Sequence, residues 1–283
     1  MSLIKYRTID GLNLVGERVG PVGAATVILL HGGGQTRKSW AGTMRRLAAA
    51  GYGVLAYDAR GHGDSDWSPS GDYSLGALSS DLGTVLGTIQ GPVALVGASM
   101  GGMTAFHAVG ASVRPIADAL ILVDIVLRPA TLGRDKIRRF MREGNEGFAT
   151  LEEAVAAVAA YNPHRRTQPS AEGLRRNLRQ RPDGRFYWHW DPRLIRTEPS
   201  SEPPAATREL IEVASGVRLP TLLVRGELSD IVDDEGVDEM RRFVPQLETL
   251  VVPGAGHMVV GDRNDAFGDA VTTFLAHHLP INA

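Results

Sequence analysis

The sequence contains no cysteine, which excludes disulfides, thiolate nucleophiles, iron–sulfur clusters and cysteine-based zinc sites. It has no run of about 18 apolar residues, so we expect no membrane span. Its first residues also lack the apolar stretch of a secretory signal peptide. Neither charge is in excess, because 30 Lys and Arg face 32 Asp and Glu, whereas nucleic-acid-binding proteins usually have a clear basic excess. We therefore expect a cytoplasmic enzyme with no nucleic-acid partner.

Apolar runs of strand length alternate with helical patterns along most of the 283 residues. The predicted strands are 3–8, 12–19, 25–30, 53–57, 93–96, 119–123, 221–224 and 247–252. The predicted helices are 39–50, 78–90, 100–109, 234–243 and 264–278. Near-continuous runs of β-branched residues and leucine are typical of strands buried on both faces of a parallel sheet, and Asp10-Gly11 predicts a hairpin between the first two strands. The alternation predicts an α/β fold with a mostly parallel sheet of about eight strands.

The alternation is interrupted once, between residues 127 and 206. Leu151–Tyr161 and Ala171–Gln180 have helical patterns, and we identify no strong buried strand in this stretch. We predict a helical cap, residues 127–206, inserted into a core domain of residues 1–126 and 207–283. Residues 128–181 contain 12 Lys and Arg against 6 Asp and Glu, which is typical of a solvated face or of a cap that attracts anionic substrates.

The segment Gly97-Ala98-Ser99-Met100-Gly101 matches the pattern G-x-S-x-G and lies between a predicted strand and a predicted helix. Small neighbours allow the sharp strand-to-helix turn that exposes the serine hydroxyl. The Met100 amide would lie at the helix N-terminus, where developing negative charge is favoured. Ser99 is therefore predicted to be a nucleophile.

The segment His31-Gly32-Gly33-Gly34 follows the first central strand. Glycine allows a backbone amide to approach an oxyanion closely, so we expect the Gly33 and Met100 amides to form an oxyanion hole. The next residues nearly form a phosphate-binding loop, but Arg37 occupies the position where that loop requires its second glycine.

Among the eight histidines, His257 is predicted to be the base that activates Ser99. It lies in a loop of small residues directly after the last predicted strand. Two carboxylates at strand ends could orient its ring. We favour Asp230, which follows the next-to-last strand and gives the chain order serine, aspartate, histidine, and Asp124 is the alternative. No two histidines have metal-ligand spacing, so no metal site is predicted.

Five motifs in this order resemble the α/β-hydrolase fold superfamily. They are LLHGGG at 29–34, YDARGHGDSD at 57–66, VGASMGG at 96–102, RGELSDIV at 225–232 and PGAGHM at 253–258. The sequence is similar to the capped, serine-nucleophile branch of esterases, haloperoxidase-like and epoxide-hydrolase-like proteins. Ser99 replaces the aspartate with which epoxide hydrolases form an alkyl ester, so epoxide opening is not expected.

The resemblance and the motifs together imply a carboxylesterase or lactonase (EC 3.1.1) that acts on a small-molecule ester or lactone through an acyl-enzyme. It would need no cofactor and would be a monomer or a homodimer. Three alternatives stay open, namely hydrolysis of a carbon–carbon bond in a diketone-type substrate, cofactor-free oxygenation, and ligand reception.

A run of aromatic residues at 186–190 is unusual in a chain with 6% aromatics. The run either roofs the substrate pocket or attaches the cap to the core, and one ring can do both. The residues predicted to line the pocket are His31, Gly34, Trp40, Tyr161, Tyr187, Trp188, His189, Trp190 and Met258.

Overall fold

The computed structural model describes residues 2–163, 170–175, 177–195, 204–262 and 264–281. The strands are β1 (Ser2–Arg7), β2 (Asn13–Val19), β3 (Thr26–Leu30), β4 (Gly53–Tyr57), β5 (Val93–Ala98), β6 (Ala119–Val123), β7 (Leu178–Gln180), β8 (Phe186–Trp188), β9 (Thr221–Gly226) and β10 (Leu247–Val252). The helices are α1 (Ala41–Ala49), α2 (Leu75–Leu86), α3 (Met100–Ala111), α4 (Thr131–Arg142), α5 (Leu151–Tyr161), α6 (Ala171–Arg175), α7 (Ala205–Val213), α8 (Asp234–Phe243), α9 (Val259–Asp262) and α10 (Asn264–His278).

Eight strands form one sheet in the order β1-β2-β4-β3-β5-β6-β9-β10. Six of these strands are parallel to one another, in the order β4-β3-β5-β6-β9-β10, and β1 and β2 form an antiparallel edge beside β4. All residues of β3, β4 and β6 are buried, because helices cover both faces of the sheet. The predicted fold class, an α/β-hydrolase fold with a mostly parallel sheet of about eight strands, is confirmed.

Two apolar layers cover the faces of the sheet. One contains Phe106 of α3 and Met240 of α8, and the other contains Trp40 and Phe267. The parallel strands all end at one edge, so the loops that follow β3, β5, β6, β9 and β10 meet there. This edge brings together the motifs that are far apart in the sequence.

The insertion between β6 and β9 contains α4, α5, α6 and an antiparallel hairpin of β7 and β8. The predicted helix 171–180 is wrong at its C-terminal end, because the described helix stops at Arg175 and Leu178–Gln180 pairs with Phe186–Trp188. Gly184, with φ of +81°, lies in the turn that makes this pairing possible. The insertion has its own apolar cluster, which includes Met141, Trp188 and Trp190.

The cap limits at 127 and 206 stay a prediction. Parts of the predicted cap, residues 164–169, 176 and 196–203, lie outside the described residues. Within the described ranges, no helix combines the length and apolar composition needed to cross a bilayer.

Candidate active site

Ser99 occupies a strained turn between β5 and α3. Its φ of 47° and ψ of −116° lie outside the regions that residues with a side chain normally adopt. The turn is held by hydrogen bonds from the Ser99 amide to the Val123 carbonyl (3.0 Å) and from the Met103 amide to the Ser99 carbonyl (2.9 Å). This conformation leaves the hydroxyl at the carboxyl edge of the sheet.

Glycine is required on both sides of this turn. A Cβ atom at Gly97 would lie 2.4 Å from the Gly101 carbonyl oxygen, and a Cβ atom at Gly101 would lie 2.4 Å from the Leu30 carbonyl oxygen. Both obstacles are backbone atoms, which cannot rotate away as the end of a side chain can. The small residues of the motif therefore permit the close contact between α3, β3 and β5.

His257, in the loop after β10, contacts both Ser99 and Asp124. Its Nε2 atom lies 3.2 Å from Ser99 Oγ, and its Nδ1 atom lies 2.7 Å from Asp124 Oδ2. With the Nδ1 proton donated to the carboxylate, Nε2 is the acceptor for the serine hydroxyl. The His257 side chain is 9% exposed and that of Asp124 is fully buried, so water competes little for either bond.

The prediction that Asp230 orients His257 is wrong. Its carboxylate accepts a hydrogen bond from Lys136 Nζ at 2.8 Å and is 40% exposed, facing α4 and not the histidine. Asp124, the alternative, makes the contact because it directly ends β6, the neighbour of β5 in the sheet. Asp230 lies several residues beyond the end of β9, where the loop has already turned toward α4.

The loop that carries Asp230 still supports the carboxylate of Asp124. Gly226 N donates to Asp124 Oδ1 at 3.0 Å, and Ser229 Oγ donates to Asp124 Oδ2 at 2.6 Å. Ser229 Oγ in turn accepts hydrogen bonds from the amides of Ile231 and Val232. These donors satisfy the oxygen atoms of a buried carboxylate and fix its orientation. Ser229 is a site residue that the sequence did not predict, because its only signal there is a hydroxyl close to the favoured aspartate.

The loop after β3 passes close to Ser99. A Cβ atom at Gly32 would lie 3.4 Å from Ser99 Cβ. The Gly32 amide donates to Gln35 Oε1 (3.1 Å), and the Gly34 amide donates to His62 Nε2 (3.2 Å). Within the described residues, the amides of Gly33 and Met100 donate to no protein group.

Three buried histidines support this loop from below. The rings of His31 and His62 lie 5.0 Å apart, and those of His62 and His189 lie 6.0 Å apart. Each accepts a backbone hydrogen bond, His31 from Ala59 and His189 from Gly63. Burial lowers the pKa of all three, that of His62 well below its usual value and that of His189 to about 3. Neutral rings are what these acceptor roles require.

These contacts define the places of several residues predicted to line the pocket. The prediction that Trp40 lines the pocket is wrong, because Trp40 is buried against Phe267 in the core. The same prediction for Tyr187 is also wrong. Its hydroxyl donates to Asp183, and its ring packs on Arg181 in the exposed hairpin. The rings of His31 and His189 bond to backbone groups of the loops under the site.

Other predicted pocket residues lie near the glycine loop or in the insertion between β6 and β9. The indole ring of Trp190 lies 3.2 Å from the place of a Cβ atom at Gly34, and Trp188 stacks on Trp190. Met258 Sδ lies 3.5 Å from Gln35 Nε2. Tyr161 stacks on Phe140, one residue before Met141 on α4. Their contact with a substrate stays a prediction.

Comparison with known proteins gives the same fold. Residues 25–263 match the family model of the alpha/beta hydrolase fold. The chain is 29% identical over 257 residues to the esterase Rv0045c of Mycobacterium tuberculosis. The aligned region covers 88% of this chain and 82% of that protein. It is 32% identical over 277 residues to the mouse sn-1-specific diacylglycerol lipase ABHD11, which covers 88% of this chain and 80% of that one.

Solved structures agree with this assignment. The crystal structure of E-2-(acetamidomethylene)succinate hydrolase superposes with a TM-score of 0.80 at 23% identity, covering 97% of this chain and 99% of that chain. The match at this identity concerns the fold. The chain therefore belongs to the alpha/beta hydrolase family, with an esterase and a lipase among its relatives.

Proposed function

We propose that this protein is a serine hydrolase that cleaves a carboxylic ester or a lactone through an acyl-enzyme intermediate. The observation that carries the proposal is the continuous hydrogen-bond chain from Ser99 Oγ through the His257 ring to Asp124. A serine hydroxyl is a weak nucleophile at neutral pH, and a neighbouring imidazole that takes its proton makes it effective.

In the first half-reaction, Ser99 Oγ attacks the carbonyl carbon while its proton passes to His257 Nε2. The carbonyl oxygen becomes negatively charged and receives hydrogen bonds from the Gly33 and Met100 amides. Loss of one such donor costs about 3 kcal/mol of transition-state stabilisation in comparable sites. The His257 ring then protonates the leaving alkoxide, and the acyl group stays on Ser99.

In the second half-reaction, a water molecule loses a proton to His257 Nε2 and attacks the acyl carbon. Collapse of this intermediate releases the carboxylic acid and returns the proton to Ser99 Oγ. Asp124 stays ionised throughout and stabilises the protonated imidazole that forms in each half. A lactone follows the same steps, except that the alcohol and the acid leave as one molecule.

The test is the variant Ser99→Ala. We expect turnover of p-nitrophenyl acetate and covalent labelling by a fluorophosphonate probe to be lost, because both need the Ser99 oxygen. Thermal unfolding should still show a folded protein, since the substitution removes one partly exposed oxygen atom. Labelling that is unchanged in Ser99→Ala would remove Ser99 from the mechanism.

The same hydrogen-bond chain would serve the three predicted alternatives. Rapid ester turnover that depends on Ser99 distinguishes a hydrolase from a ligand receptor. Coloured dienone substrates test carbon–carbon hydrolysis, and oxygen consumption tests the oxygenase.

A further inference from the structure

Helix α4 crosses the edge of the sheet at which the catalytic groups meet. Near its N-terminus, the Ala130 amide donates to the Ile231 carbonyl, and a Cβ atom at Gly133 would lie 2.1 Å from the Asp230 carbonyl oxygen. Residues 133, 137 and 141 are spaced by four positions, so they lie on one face of the helix. The helix thus extends from the loop that supports Asp124 to the loop that carries Gly33.

At the C-terminal end of this face, the Met141 thioether lies beside Gly33 of the proposed oxyanion loop. The place of a Cβ atom at Gly33 lies 3.6 Å from Met141 Sδ and 3.8 Å from Met141 Cε. A methyl group at Gly33 would make only ordinary van der Waals contact with the thioether, so the thioether lies about one methyl layer from the Gly33 backbone. The side chain is only 6% exposed, and it is part of the apolar cluster of the insertion.

Trp190 closes the next part of the loop. Its indole ring lies 3.2 Å from the place of a Cβ atom at Gly34, and the residue is 2% exposed. Met141 and Trp190 of the insertion therefore flank two adjacent glycines of the loop.

The proposed chemistry indicates which part of a substrate would lie next to Met141 and Trp190. In the tetrahedral intermediate, the leaving group must point toward His257 Nε2, which protonates it, and the oxyanion must point toward the Gly33 amide. The remaining substituent on the reacting carbon is the acyl chain. It would extend away from His257 and along the glycine loop, which Met141 flanks at Gly33.

We infer that Met141 is a specificity-determining residue that restricts the enzyme to short acyl groups. The inference rests on the proposed function. A longer acyl chain would have to occupy the volume of the Met141 thioether, and packed apolar side chains leave no such space. Substitution by alanine removes the Cγ, Sδ and Cε atoms and opens this volume to the acyl chain.

The experiment measures kcat/KM for the p-nitrophenyl esters of acetate, butyrate, hexanoate and octanoate. We expect the wild-type protein to favour acetate and butyrate. In Met141→Ala, the ratio of hexanoate to acetate should rise by about tenfold or more, since added methylenes in an apolar pocket have effects of that size. Met141→Leu, which conserves the volume, should keep the wild-type profile.

The matched control is Met240→Ala, the same change at a fully buried methionine of α8. Its acyl-length profile should equal that of the wild type. The ratio compares two substrates on one folded enzyme, so a loss of stability in either variant cancels.

Two results would overturn the inference alone, namely a wild-type preference for octanoate and an unchanged ratio in Met141→Ala. Both leave Ser99-dependent ester cleavage intact, and with it the proposed function. An absence of Ser99-dependent cleavage of every ester would instead overturn the proposed function, and the inference with it.

Discussion

At the scale of single residues, backbone strain is concentrated at the candidate active site. Among the described residues, the non-glycine positions with positive φ are Ser99 (47°) and Asp124 (54°). Such conformations cost free energy and persist where the surrounding structure imposes them, which is common at functional sites. Both residues lie at the carboxyl end of a strand and bond to His257. The strain thus coincides with the proposed catalytic chain.

The two aspartates give a direct test of the proposed orienting role. Asp124→Asn should reduce kcat/KM for p-nitrophenyl acetate by about 10⁴-fold, because an amide can hold the histidine in the wrong tautomer and does not stabilise the imidazolium. Asp230→Asn should reduce it by less than about tenfold, because that carboxylate pairs with Lys136 at a partly exposed site. A larger loss in Asp230→Asn than in Asp124→Asn would contradict the assignment.

The choice between these aspartates could not be made from the sequence. Both follow a strand of the parallel sheet and both precede His257 in the chain. The order of the strands places β6 beside β5, and the positive φ of Asp124 turns its carboxylate toward Gly226 and Ser229. Strand order and side-chain direction arise from tertiary packing, which local spacing does not encode.

At the scale of elements, the turn from β5 into α3 depends on the absence of side chains. Gly97, Gly101 and Gly102 lie where a Cβ atom would meet backbone atoms at 2.8 Å or less. Here the sequence was a good guide, since the glycine spacing follows from local geometry. The exit of α3 from the turn at Met100 agrees with the predicted start of the helix.

Gly101→Ala should lower the free energy of unfolding by roughly 2–4 kcal/mol, because the new Cβ atom would collide with the Leu30 carbonyl. The matched control is Gly83→Ala in the exposed middle of α2, where a Cβ atom would meet nothing within 4 Å. This control should stabilise the protein by about 0.5–1 kcal/mol. Urea unfolding measures both, and equal effects of the two substitutions would contradict the steric explanation.

The cap shows the limit of sequence periodicity at this scale. The strands β7 and β8 are short, and a helical pattern covers one of them. Their pairing places Trp188 and Trp190 against the rest of the cap, with Phe148 and Phe140 as further aromatic neighbours. Burial of aromatic side chains contributed by several elements stabilises this hairpin. The local strand propensity of residues 178–180 therefore did not predict it.

At the scale of the whole molecule, the insertion is attached to the core through buried polar groups. The Asp191 amide donates to the Gly61 carbonyl (2.9 Å), and the Tyr73 hydroxyl donates to Asp191 Oδ2 (2.5 Å). His189 accepts the Gly63 amide beside this contact. The run 186–190 therefore attaches the insertion to the core through His189 and also covers the glycine loop through Trp190.

The burial of His189 in this attachment predicts that the stability of the protein depends on pH. The pKa of His189 is lowered from 6.5 to about 3 by burial, so the unfolded chain binds a proton between these values and the folded chain does not. The free energy of unfolding should then fall as the pH decreases below 6.5, because protonation favours the unfolded state. His31 and His62 act in the same direction.

The variant His189→Asn removes the titrating group and retains an oxygen that can accept the Gly63 amide. We expect a smaller loss of stability between pH 7.5 and pH 5 than in the wild type, measured by urea unfolding at both values. His277→Asn, an exposed position on α10, makes the same chemical change away from the cap. An equal pH dependence in His189→Asn and the wild type would exclude the contribution of this histidine.

The sequence by itself determined the strand and helix alternation, the elbow around Ser99 and the glycine loop after β3. These features depend on local backbone geometry and on burial patterns that repeat along the chain. The tertiary structure alone decided that Asp124 and not Asp230 meets His257, that Trp40 is in the core, and that Met141 lies beside Gly33. The physical reason is that these contacts join residues from distant parts of the chain, and their partners are chosen by sheet order and by the direction of each side chain.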